Sequence, residues 1–138
     1  MPIKFRGADK HLRRLKAMGP RAEREASKLV LTLADMHAKE ASYLITQGSV
    51  GGANHVPSLP GEPPNADTGH LHTSIHAESA GPLKAVSVAD ADYSAALEFG
   101  TSKMAERPFM RPAAKTVRRE AEVLAKAAAK RITKGGTI

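Results

Sequence analysis

The sequence predicts an α+β fold in which a small antiparallel sheet packs against two long amphipathic helices. Three observations carry this: apolar residues recur every three or four positions over long stretches, two short segments in the middle alternate with period two, and glycine and proline punctuate the joints. The 138 residues fit a single domain, 1–138, large enough to bury a core without metal or disulfide staples.

Ile3, Phe5 and Gly7 read as a short opening strand with a stop, and Asp9 begins a helix through Leu12, Leu15 and Lys16. Gly19-Pro20 is expected to end that helix and start the next, because glycine suits a helix end and proline a first turn. The second helix runs from about 20 to 45. Ala26, Leu29, Val30, Leu33, His37, Ala41, Leu44 and Ile45 form its buried stripe, opposite Arg21, Glu25, Lys28, Asp35 and Lys39. Between 48 and 66 the composition turns to Gly, Ser, Asn and Pro, and Pro57, Pro60, Pro63 and Pro64 block regular structure. A flexible loop of this length suits a binding arm.

After a helical turn from Thr68 to Thr73, residues 75–79 and 85–89 read as an antiparallel hairpin around Ala80-Gly81-Pro82. Ile75, Ala77, Val86 and Val88 are expected to face the helices. Asp90 can cap a helix through Tyr93, Ala96, Leu97 and Phe99 that Gly100 ends. Pro112 falls in the first turn of a last helix whose stripe is Val117, Ala121, Leu124, Ala128 and Ile132. Arg111 is a poor cap by propensity, so that helix start is expected to depend on tertiary contacts.

The absence of cysteine excludes a thiolate nucleophile, a cysteine zinc site and any disulfide. No apolar run reaches the ~20 residues of a membrane helix, and the charged start leads into no signal-peptide core. Cytoplasmic assembly is the expectation. His70, His72 and His76 invite a metal reading, but the first two point in different directions on a helical turn, and Glu78 is the sole further candidate. No metal and no cofactor are expected. Asp35, His37 and Glu40 fall on different helix faces, and no nucleophile elbow, phosphate loop or zinc-protease motif occurs. The chain does not read as an enzyme.

A formal charge of +7 favours an anionic partner. Basic residues crowd both ends, with Lys4, Arg6, Lys10, Arg13, Arg14 and Lys16 at one and Lys126, Lys130, Arg131 and Lys134 at the other. A solvated helix face explains much of this, since Glu120 and Glu122 are interspersed; the competing reading is a basic rim turned toward DNA or an acidic neighbour, and no aromatic platform or recognition-helix signature accompanies the charge to decide between them. Phe99 and Phe109, held between Gly100 and two prolines, are expected to close the core, with Glu98 binding Arg107 or Arg111. Lys103 to Glu106 would form an exposed loop tip.

Thr68-Gly69-x-Leu71-x-x-Ser74-Ile75, then Tyr93, Leu97-Glu98-Phe99-Gly100-Thr101, then Arg107-Pro108-Phe109-Met110-Arg111-Pro112-Ala113 occur in that order after the long helix and the proline-rich approach. In order and spacing the chain resembles the tail-completion or head–tail joining (neck) proteins of long-tailed double-stranded DNA bacteriophages. Histidine at 70 and 72 departs from the basic side chains common there. The resemblance implies a structural virion protein, found in the host cytoplasm during assembly. It implies a homo-oligomeric, sixfold ring between the head connector or adaptor and the tail tube or its terminator. It further implies nonspecific contact with DNA in the lumen, no membrane partner, and a structural or interface role for the quoted motif residues. The alternative from composition is a small basic nucleic-acid-binding protein without sequence preference.

Overall fold

The computed structural model describes residues 8–47 and 54–134, with side chains from Met18 onward. Six elements follow in order: α1 (Ala8–Thr46), α2 (His70–Thr73), β1 (Ile75–Gly81), β2 (Lys84–Ala89), α3 (Ser94–Phe99) and α4 (Met110–Lys134). The arrangement is α+β, with a two-stranded antiparallel sheet packed with long helices. The opening strand expected at Ile3 to Gly7 lies outside the described residues.

The break expected at Gly19-Pro20 does not occur, and α1 continues through Pro20 for 39 residues. Proline removes one N–H and crowds the carbonyl one turn back, which costs about 3 kcal/mol in a helix interior. Gly19 and Pro20 are both exposed, so the ring crowds no packed neighbour, and the helix on either side offsets the loss. A second correction concerns Glu25, assigned above to the polar face. It is 3% exposed, with its Oε2 3.4 Å from Arg131 Nε, an ion pair without hydrogen-bond geometry. Position 25 lies four before Leu29 and therefore continues the apolar stripe, so spacing outweighs residue type here.

α4 runs back along α1. Arg131 meets Glu25 near one end, and at the other His37 Nε2 donates to the Met110 carbonyl at 2.7 Å. His37 is thus a hydrogen-bonded stripe residue, as its position suggested. Along α4, Ala113 and Ala128 are buried, while Val117, Ala121, Leu124 and Ile132 are half-buried on the expected face.

The hairpin forms where expected, but β2 turns its other face inward. Ile75 pairs with Ala89, Ala77 with Ser87 and Ser79 with Ala85, whereas Val88 and Val86 stand opposite His76 and Glu78. Directly opposed residues share a face, so Val86 and Val88 lie on the outer side and Ala85, Ser87 and Ala89 face with Ile75. The turn falls at Pro82-Leu83, with an irregularity between Ser79 and Gly81, and a one-residue slip exchanges every side chain between faces. Ser87 Oγ is buried without a hydrogen-bond partner as a result. On the outer face, His76 sits beside Glu78 and Asp90, 3.3 and 3.6 Å away. Its pKa is raised, first by the Ser74 carbonyl and then by Glu78. Asp90 therefore serves His76. The residue before α3 is Tyr93, which makes no side-chain cap.

The core joins Ala38, Ala41 and Ile45 of α1 to Leu71, Ile75, Ala91, Phe109 and Ala113. Ile45 and Phe109 are its largest fully buried side chains, and alanine around them lets backbones approach closely. The described part of the proline-rich loop, 54–66, is anchored: Ala66 N–H donates to the Ile45 carbonyl at 3.1 Å and Gly61 N–H to the Glu106 carbonyl at 2.9 Å.

Ile45→Ala should lower unfolding free energy by about 2–5 kcal/mol, the range for a buried aliphatic side chain that leaves a cavity. Leu31→Ala, at a residue 43% exposed, should change it by less than about 1 kcal/mol. Urea unfolding of both variants checks the placement of the α1 stripe.

Candidate functional site

The residues that stand out in the sequence converge on two adjoining features, a carboxylate latch and a cavity. The latch begins with a local problem. α4 starts without a capping side chain of its own, and the first N–H groups of a helix have no partner inside it. Glu98, on α3, supplies the acceptors. Its Oε2 takes the Phe109 and Met110 N–H groups at 2.8 and 3.0 Å, and its Oε1 takes the Arg111 N–H at 3.0 Å. Pro112 has no N–H to satisfy, and Ala113 N–H already reaches the Phe109 carbonyl at 3.3 Å. A single side chain thus completes the start of α4, with its negative charge at the positive end of the helix dipole.

Arg111 closes the latch. Its Nε donates to Glu98 Oε1 at 2.9 Å, while one terminal nitrogen reaches the Glu98 carbonyl at 2.6 Å and Glu106 Oε2 at 2.9 Å. Burial on its own would push the Glu98 carboxyl up. The backbone N–H groups of Phe109, Met110 and Arg111, together with the Arg111 side chain, outweigh burial and hold it below its ordinary value.

Gly100 makes the latch possible. It follows α3 with φ 74°, and a Cβ there would stand 2.9 Å from both the Glu106 nitrogen and the Met104 oxygen. The strand-like bridge between Thr101 and Met104, with Thr101 N–H donating to the Met104 carbonyl at 2.8 Å, turns the loop back. Arg107 N–H then donates to the Leu97 carbonyl, and Pro108 leads Phe109 into the core.

Phe99 departs from expectation. It is 69% exposed; only Phe109 closes the core. Ser94 and Glu98, one turn apart, occupy the buried face of the short α3, so the next residue points away from it. The Arg111 guanidinium lies 5.3 Å from the centre of the Phe99 ring and covers one face.

Beside the latch is a cavity of about 290 Å³ lined by Ser58, Pro64, Thr68, Gly69, Leu71, Tyr93, Leu97 and Arg107, with His55, Asp67 and others at its walls. Gly69 opens α2 at φ 83°, a left-handed conformation that favours glycine. Leu71 is buried in the floor and Tyr93 is 44% exposed at the wall. Arg107 does not bind Glu98; its Nε donates to the Ser58 carbonyl at 3.2 Å and ties the proline-rich loop to the α3–α4 connection. Ser74 stands apart from the cavity lining, where its Oγ donates to the Leu71 carbonyl at 2.6 Å and accepts from Ala91 N–H at 3.3 Å. Thr101 is exposed on the returning loop, and Pro112 is half-buried.

Sequence reasoning missed Ser58 and Glu106. Ser58 is buried with its Oγ unpartnered, and nothing in a proline-rich stretch marks a serine for burial. Glu106, on the exposed loop tip, holds Arg111 through its side chain and Gly61 through its carbonyl. Among the described residues, no group of three or more His, Cys, Asp or Glu is placed to hold a metal ion. No helix among them is long and apolar enough to cross a membrane. Comparison with protein-family models, with curated proteins and with solved structures finds no match to the chain.

Glu98→Ala should cost at least about 2 kcal/mol, the upper end of losses at helix caps, because three N–H groups lose their acceptor. The depressed folded-state pKa makes the carboxylate's contribution complete above its unfolded value of 4.5 and lost as pH falls through the lower folded value. Denaturant titrations from neutral to acid pH should therefore show a loss of stability that begins near 4.5 and shrinks in Glu98→Gln. Gly100→Ala should destabilise by more than about 1 kcal/mol, since both conformation and space are wrong for a Cβ; thermal melts of the purified variant measure it.

Proposed function

We propose that this chain is a structural subunit of the neck of a long-tailed double-stranded DNA phage. It forms a ring of six copies that joins the head connector to the tail tube, and it carries out no chemistry of its own. What supports the reading is the convergence of the family-like motifs. Thr68, Gly69, Leu71, Tyr93 and Arg107 come from separate stretches and line one cavity, while Glu98, Phe109 and Arg111 build the latch beside it. Motifs that meet in space to brace one loop suit a part that must present a fixed surface to neighbours.

The surface around that loop carries exposed apolar groups. Phe99, Tyr93, Leu59 and Val56 are each exposed beyond two-fifths of their area, and apolar and aromatic residues on a braced frame suit the centre of a subunit contact. In a closed ring the contact is heterologous, with one patch of each copy meeting a different patch of the next. Adaptor and tail-tube or terminator proteins dock on the two ring faces. The virion neck is its final location.

Phe99→Ala should weaken ring formation while lowering monomer stability by no more than about 1 kcal/mol, since the side chain is mostly exposed and loses only its contact with Arg111. Light scattering on size-exclusion fractions over a range of concentrations, run beside a complementation assay for infectious particles, tests both. A wild-type protein that stays monomeric at every concentration and fails to join neck components overturns the ring reading.

A further inference from the structure

The outward face of α4 carries a row of cations that the rest of the fold does not use. Lys115, Arg119, Lys126 and Lys130 are all exposed. With 3.6 residues per turn they fall within about 60° of arc and span roughly 22 Å of helix axis. Several other cations do have acidic partners: Lys39 pairs with Asp35, Arg111 with Glu98 and Glu106, and Arg131 with Glu25. The four residues of the row make no ion pair or hydrogen bond among the described residues. Glu122 lies on the same face and leans toward Arg118, with 3.9 Å between Arg118 Nε and its Oε1. Four of the chain's 21 basic residues thus stand in one line without an acidic partner among the described residues.

We infer that this face of α4 binds the phosphate backbone of double-stranded DNA without reading its sequence. The chemistry of the row selects that partner over other anions. Single strands are gripped by aromatic platforms interleaved with charge, and the row contains no aromatic residue. A membrane surface needs an apolar face turned outward beside the charge, but the apolar stripe of α4 packs on α1. An acidic protein interface has an apolar centre inside its polar rim, and this face offers Val123 at its edge and otherwise charge, alanine and threonine. Base recognition uses bidentate side chains held at a groove, whereas flexible lysines spaced along a straight helix meet phosphates as point charges. This binding is independent of the ring: a monomer would show it.

Fluorescence anisotropy of the full chain with two labelled duplexes of about 24 base pairs and unrelated sequence tests it. Four phosphate contacts predict that affinity falls roughly 150-fold between 50 and 200 mM salt, alike for both sequences. Either double variant, Lys115→Gln with Arg119→Gln or Lys126→Gln with Lys130→Gln, should reduce that fall to roughly 12-fold, and Lys103→Gln on the α3–α4 loop should leave it unchanged. Circular dichroism melts of each variant confirm that the fold is retained. Absence of binding at low salt, a salt dependence untouched by both double variants, or tighter binding to an oligo-dT strand overturns the inference. So does variant-sensitive binding to phosphatidylserine vesicles or polyglutamate with none to duplex.

Discussion

The structure depends most on one carboxylate placed where a helix begins. α4 is 25 residues long and is one of the two long helices, yet its own sequence offers no cap. Glu98 resolves this from outside the helix, and in doing so fixes the position of α3, the direction of the returning loop and the entry of Phe109 into the core. The arrangement is cooperative because a buried carboxylate without donors and a buried helix end without acceptors are each costly, while together they satisfy one another. Pro112 belongs to the same solution, for it removes the N–H that a single carboxylate, already shared among three donors, would be short of.

Much of this was legible in the sequence. Both long helices, the hairpin, the glycine end of α3 and the burial of Phe109 follow from periodicity and turn chemistry, and the need for outside help at the start of α4 follows from the residues there. Glu98 was visible as the partner of Arg107 or Arg111 by charge and proximity, and the structure takes Arg111 while Arg107 turns to Ser58. The rest was hidden for identifiable reasons. Glu25 is buried because the helix phase puts it on the stripe, and a charge is accepted there once Arg131 arrives from a segment more than a hundred residues away. Val86 and Val88 look like the inward residues of β2, but the position of the turn fixes the register, and the helix accepts alanine and serine at closer range. Phe99 looks like core by type and is kept out of it by the demands of its neighbour Glu98. In each case a contact distant in sequence, or a one-residue phase, outweighed side-chain character.

The same choices leave large apolar side chains outside. Leu59, Tyr93 and Phe99 are exposed beside the buried polar Ser58, Ser94 and Glu98, and Leu31, Tyr43, Val56, Leu83 and Val123 are exposed elsewhere among the described residues. The core is small and braced by hydrogen bonds, with Ile45 and Phe109 its largest fully buried side chains.

The short reach of the Glu98 latch also bears on what it costs to close. It spans 11 to 13 residues, so its loop entropy is small, and it joins α3, the returning loop and the first turn of α4 through local contacts. Arg107 reaches Ser58 across 49 residues, and His37 reaches Met110 across 73; loop-closure entropy grows with length, so these contacts are costlier to form. The brace at the start of α4 is therefore the least costly of the three closures.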